Sequence, residues 1–221
     1  MKVFLKVFCI LLLLFLVPLS ACNKESTLIN NVCSLKHTSY TGSSENYSLV
    51  ANYGFDKQYY PSSNTTKLCN YLTFKLLDKE TEQVTYTIKL NFNNFDYLVD
   101  FKLNPVSNTL TAKMEIDGFF LREFTAEIVK ESSSEQIKFI SNVPANTISY
   151  QKALSFLEND QANLIKSYTD QNGNFTADIV MRILVKDGKP YWYVGLMKKQ
   201  STKALLIDGL TGKTLAIRDI F

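Results

Sequence analysis

Histidine is nearly missing from these 221 residues, with His37 standing alone. A metal centre built on imidazole needs several such ligands, and no cysteine pair has the close spacing that zinc sites use, so no metal is expected. Arginine is almost as scarce: only Arg122, Arg182 and Arg218 occur among 24 basic residues. Forked recognition of phosphates or base edges is therefore poorly served. The formal charge is only +3, from 24 Lys and Arg against 21 Asp and Glu, which gives no concentrated basic field and excludes a nucleic-acid partner. No nucleotide or catalytic motif occurs, so neither a cofactor nor an enzymatic activity is expected. Glu115, Asp117, Glu123 and Glu127 are close in sequence, yet no spacing selects a glycosidase pair among them.

What is present starts at the first residue. Lys2 and Lys6 precede an apolar run from Val7 to Val17, followed by Pro18 and by the small residues Ser20 and Ala21 ahead of Cys22. This is the layout of a secretory signal, with a positive start, a short apolar middle and a small-residue cleavage zone. The run is far shorter than the ~20 residues of a spanning helix. Leu19-Ser20-Ala21-Cys22 resembles the lipobox of bacterial lipoproteins. That resemblance implies removal of residues 1–21, a diacylglycerol on the Cys22 thiol, and acylation such as palmitate on the new amino group. Two or three acyl chains, at ~0.8 kcal/mol per buried methylene, anchor a protein durably. The expected location is a cell membrane on its extracytoplasmic face, and the membrane is the first expected partner. Loss of Lys2 and Lys6 lowers the formal charge to +1.

Of the four cysteines, Cys9 leaves with the signal and Cys22 carries lipid, which leaves Cys33 and Cys69. Outside the cytoplasm a bridge between them can persist, and closing that loop would contribute roughly 4 kcal/mol. Two separate thiols fit the sequence equally well, and both alternatives stay open.

Residues 22–41 are polar and read as the lipidated N-terminus and a tether, with a first ordered segment near Val32–Lys36. Residues 42–143 then read as a β-rich domain. Tyr47, Leu49, Ala51, Tyr53 and Phe55 alternate with polar or small residues, as do Val84 to Phe92, Tyr97 to Leu103 and Leu110 to Ile116. Period-two alternation marks half-buried strands. Asp117-Gly118 between two such runs is the strongest hairpin signal in the chain. About seven strands without a helix point to an antiparallel β-sandwich or barrel.

Pro144 marks a change of texture, and residues 144–221 read as a second domain. Ser149 can cap a helix whose apolar positions, from Tyr150 to Tyr168, recur at spacings of three and four. Strands follow from Phe175 to Val185, Tyr191 to Lys198, Lys203 to Asp208 and Lys213 to Ile220. Ile148-Ser149-Tyr150-Gln151-Lys152-Ala153, Pro190-Tyr191-Trp192-Tyr193-Val194 and Leu206-Ile207-Asp208-Gly209-Leu210-Thr211-Gly212-Lys213 together resemble a PepSY module. The resemblance implies a small domain of one helix on an antiparallel sheet, found in bacterial envelope proteins that restrain peptidases. The whole chain is then expected to be α+β. Trp192 and Tyr193 fall on opposite faces of their strand, so one of them fills the core and the other faces outward. Tyr191, Trp192 and Tyr193 are the candidate partner contacts. The expected function is a non-catalytic interaction or regulatory module, acting on an envelope protein or peptidase. The alternative is a ligand-binding lipoprotein whose β-rich domain captures a carbohydrate, peptide or wall fragment.

Overall fold

The computed structural model describes residues 26–61, 64–77, 85–105, 107–131 and 133–220. The signal run and Cys22 lie outside them. A 3₁₀ turn, Thr27–Asn31, leads into β1 (Val32–Ser43), β2 (Ser48–Tyr60), β3 (Thr65–Leu76), β4 (Tyr86–Phe92), β5 (Phe95–Asp100), β6 (Lys102–Asn104), β7 (Thr109–Glu115), β8 (Glu123–Lys130) and β9 (Ser133–Ser141). Helices α1 (Tyr150–Asp160) and α2 (Ala162–Ser167) follow, then β10 (Asp178–Lys186), β11 (Lys189–Lys198), β12 (Ser201–Asp208) and β13 (Thr214–Ile220).

The organising strand is β1. One edge pairs with β2 along most of its length. The other edge pairs with β10 in parallel at its start and with β9 antiparallel at its end. Residues 26–41 are therefore not a tether, because Leu28, Val32, Leu35 and Tyr40 bury fully there and the strand cannot be withdrawn without opening both cores.

β5, β4, β8, β9, β1, β2, β3, β7 and β6 are paired in succession, and the two ends of that series, β5 and β6, follow each other in the chain, which makes a ring open to pairing at that one seam. The chain itself spans the seam, because β5 runs into β6 through Phe101, whose N–H donates to Tyr86 O (2.8 Å) while the chain changes partner from β4 to β7. Alternate side chains of these strands fill the interior, where Phe124 and Phe139 stack at 4.7 Å. Among the described residues the inside of the ring is filled by packed side chains.

The Asp117-Gly118 hairpin does not form. β7 pairs with β3 and β6, and β8 pairs with β4 and β9, so the two flanking runs are not partners. Gly118 does adopt a positive φ of 70°. The chain then folds across one end of the ring and inserts Phe119, which is fully buried against Tyr40, Tyr53, Phe92 and Phe124. Tyr53 Oη accepts the Phe119 N–H (3.3 Å), and Tyr40 Oη donates to Leu121 O (2.9 Å). Burial of one phenyl ring outweighs the local preference of two turn residues.

In the C-terminal half, Ser149 Oγ accepts the Lys152 N–H (3.2 Å) and starts α1 as its N-cap. The single helix expected to reach Tyr168 is broken at Gln161, where φ is −120° and ψ is 37°. Ala153, Leu154, Leu157 and Ile165 pack on one face of β10–β12, over Ile179, Met181, Trp192, Val194, Leu205 and Ile207. Leu28, Val32 and Leu35 join this same core.

The α+β, PepSY-like assignment is overturned. The described residues are mostly antiparallel sheet, 61% in strands against 12% in helical turns. The physical reason is the β1–β10 pairing, which makes the C-terminal strands an extension of one sheet running from β13 to β6 rather than a separate helix-on-sheet unit.

Candidate functional site

Both helices lie on one face of the extended sheet, and the opposite face carries a straight rung of paired residues. Leu206, Tyr193, Arg182, Lys36, Gly54, Tyr71 and Glu115 are successive partners across β12, β11, β10, β1, β2, β3 and β7. At ~4.8 Å per strand the rung spans about 29 Å. Its residues share a face because their sequence neighbours Leu205, Trp192, Met181, Leu35 and Leu72 all point into the cores.

At the β11 end, the Arg182 guanidinium lies 4.6 Å from the centre of the Tyr193 ring. That distance suits a cation–π contact, which holds the ring in place while leaving one side of it accessible. Tyr193 also leans over Gly195, where a Cβ would come within 3.3 Å of its hydroxyl. Trp192 faces the other way, 2% exposed, and its Nε1–H donates to Ile148 O (3.0 Å). Of the three aromatics singled out in sequence, Tyr191 and Tyr193 share the uncovered face and Trp192 belongs to the core.

At the β3 end, Lys113 Nζ lies 3.6 Å from the Tyr71 ring centre and 2.7 Å from Asp56 Oδ2, while Ser34 Oγ donates to Asp56 Oδ1 (2.6 Å). Burial pushes the Asp56 carboxyl up, but hydrogen bonds from Lys113 and Ser34 and the charges of Lys113 and Lys36 outweigh it and hold it below its usual value. Gln58 donates to Tyr71 Oη and accepts from Tyr60 Oη (2.9 Å), and Tyr60 Oη is 3.4 Å from Cys69 Sγ. Burial, with the neighbouring Cys69, pushes the Tyr71 hydroxyl up to about 12, so it stays a neutral donor. Tyr60 and Tyr71 did not stand out in sequence. The available signal was that Tyr71 falls out of phase with Leu72, Phe74 and Leu76 on its strand.

Between the two ends lies Gly54. A Cβ there would stand 1.7 Å from Leu35 O, at the irregularity in β1 between Lys36 and Thr38, so the position admits no side chain. The result is a dent of about 10 Å³ bordered by Lys36, Asn52, Asp56 and Tyr71.

Cys33 and Cys69 are free thiols. Ser34 pairs with Asp56 and Asp56 with Cys69, so β2 lies between the two cysteine-bearing strands. Two strand spacings, about 9.6 Å, exceed the ~7 Å limit for a bridge. Cys33 Sγ donates instead to Ile179 O (3.4 Å).

His37 stacks edge-on against Tyr53 at 5.3 Å, and burial pulls its pKa down. Of the four carboxylates weighed as a glycosidase pair, Asp117 accepts from Asn70 Nδ2 (2.7 Å), Glu123 pairs with Lys138 (2.9 Å) and Glu127 with Lys89 (3.9 Å). Glu115 sits at the β7 end of the rung. Among the described residues no three His, Cys, Asp or Glu side chains gather as a metal site, and no helix is long and apolar enough to cross a membrane. A second concavity of about 360 Å³ opens where the β1–β2 turn meets β9, lined by Glu45, Asn46, Tyr47, Ser133, Ser134 and Glu135. No protein-family model, no curated protein and no solved structure matches the chain.

Proposed function

We propose that this chain is a lipid-anchored envelope protein that works by binding, holding an extracytoplasmic partner protein across the uncovered face of its sheet. The observation that carries the reading is the rung from Leu206 to Glu115, which displays Arg182, Lys36 and Glu115 with the half-buried Tyr193 in one line opposite the helices, while Tyr71, 9% exposed beneath Lys113, anchors the line from below. Aromatic rings braced by cations supply large contact area with little ordering entropy, and Arg and Tyr are the residues that most often dominate interfaces. A peptidase as partner rested on the PepSY resemblance alone and drops out with that fold. Lipidation at Cys22 rests on the lipobox resemblance and supplies the membrane as a second partner. Comparison of wild type with the double variant Tyr193→Ser, Lys36→Ser, in a crosslinking pull-down from native membranes, tests the reading. A discrete partner recovered only by wild type supports it; equal recovery by both proteins overturns it.

A second reading is favoured by the concavity around Glu45 and Glu135. Its volume of about 360 Å³ falls in the range of small-ligand sites. Glu135 accepts from Glu45 N (3.2 Å) and Asn46 Nδ2 (3.1 Å), leaving carboxylate, amide and hydroxyl groups around the opening. A sugar or a wall fragment fits that chemistry. Titration with muropeptides, read by tyrosine fluorescence and compared with Glu135→Gln, separates this reading from the first.

A further inference from the structure

The lipid anchor and the first fixed residue of the fold are close together in the chain. Only three residues lie between Cys22 and Ser26, which is 3% exposed. Four Cα–Cα steps reach at most ~14 Å, so an acylated Cys22 holds Ser26, and with it the 3₁₀ turn that leads into β1, within about that distance of the bilayer. What lies at this end of the sheet is fixed by register. β1 pairs antiparallel with β2 from Ser34 opposite Asp56, so the hairpin of β2 and β3 runs on past the start of β1. No strand flanks its outer portion among the described residues: β7 pairs with β3 only from Tyr71 onward. Thr65, Thr66, Lys67 and Leu68 are all exposed in consequence.

This projecting hairpin has the chemistry of a membrane interface. Tyr59 is 60% exposed and Leu68 is 51% exposed. Lys57 is paired directly with Leu68, so Tyr59 and Leu68 are diagonal neighbours on one face. Lys57 Nζ donates to Asn30 O (2.5 Å), which ties this face to the 3₁₀ turn through which the chain arrives from Cys22. From Lys57 to Leu68 the sequence contains two lysines and no acid. Tyrosine and leucine beside lysine is the combination that settles at headgroup level, with rings and alkyl groups in the acyl boundary and ammonium groups among lipid phosphates.

We infer that the β2–β3 hairpin is a second membrane contact, in which Tyr59 and Leu68 dip into the headgroup region of the bilayer that holds Cys22. This rests on the lipid-anchor reading. The contact would fix the tilt of the body on the membrane instead of leaving it free to swivel on its acyl chains.

The test uses the full lipidated protein, extracted from native membranes and reconstituted into vesicles of three parts phosphatidylcholine to one part phosphatidylglycerol, with or without brominated acyl chains. Tyr59→Trp is compared with Ser134→Trp, an exposed site beyond the opposite end of β1, about 50 Å away by strand rise. Bromolipid should remove about half the added emission at position 59 and leave position 134 unchanged, as expected for a ring at headgroup depth. Absence of quenching at position 59, in protein that still floats with the vesicles, overturns the hairpin contact and leaves the anchor standing. Protein that does not float at all overturns the anchor and the contact together.

Discussion

Phe119→Ala tests the coupling of the two cores through β1. Phe119 is fully buried, with ring centres of Phe124, Phe92, Tyr53 and Tyr40 at 4.9, 5.0, 5.6 and 6.2 Å. Truncation removes about 120 Å² of apolar burial, or ~3 kcal/mol, and the cavity left in a stiff ring of strands raises the loss to ~4 kcal/mol. The reporter lies in the other core: Trp192 is the only tryptophan and is buried among helix-facing residues. If β1 fuses the halves, one cooperative transition serves both, and the Trp192 emission midpoint in urea falls by roughly 1.3–2 M for a slope of ~2–3 kcal/mol/M. Near-UV circular dichroism, dominated by the tyrosines, should shift by the same amount. A Trp192 midpoint that stays in place while the near-UV signal moves would refute the coupling and make the C-terminal strands an independent unit.

Three further outcomes follow from geometry already described. Unreduced protein, denatured and titrated with a chromogenic disulfide, should yield two thiols from Cys33 and Cys69; in the native state Cys33 should react slowly near pH 8, because burial and then Asp178 push its pKa up. Recovery of no thiol would contradict the strand register. Gly54→Ala should lower stability by ~3 kcal/mol or more, because the new methyl meets the Leu35 carbonyl and backbone must move; an unchanged urea midpoint would sink this. Asp56 has its folded pKa held below the ordinary aspartate value, so its contribution is present above that ordinary value and is lost as pH falls through the lower folded one. Its side chain is 36% exposed, and solvent screening limits the effect to about 0.5 kcal/mol. Asp56→Asn should therefore lose slightly less stability than wild type between pH 6 and pH 3, read by urea midpoints.

The parts legible in sequence are those set by neighbours in the chain. Tyr47 to Phe55 alternate because β2 has one face in the cores, Ser149 caps α1, and Trp192 and Tyr193 separate onto opposite faces by parity. The parts missed were decided at long range. Beyond a short ordered segment near Val32–Lys36, nothing local in Ser26–Thr41 announces a strand that pairs with three others along its two edges, and polar residues such as Lys36 are tolerated there because they lie on the face opposite the cores. Asp117-Gly118 has the right residues for a tight turn, but the buried Phe119 draws the chain across the ring instead. The helix-then-strands pattern of residues 149–220 is the same whether those strands form a unit of their own or continue another sheet, so the β1–β10 pairing was invisible. On the candidate face, Tyr191 and Tyr193 could be found from one strand. Arg182, Lys36 and Tyr71 could not, because only the register of seven strands brings them into line.

The claim that this protein acts through its uncovered sheet face is tested most directly by site-specific photocrosslinking in intact cells. A benzophenone amino acid placed at Tyr193 or at the exposed Lys36 sits on the rung, and one at the exposed Lys152 sits on the helix side. The account predicts one discrete adduct shared by positions 193 and 36 and absent at 152. Adducts at 152 alone, or the same adducts at all three positions, would contradict it.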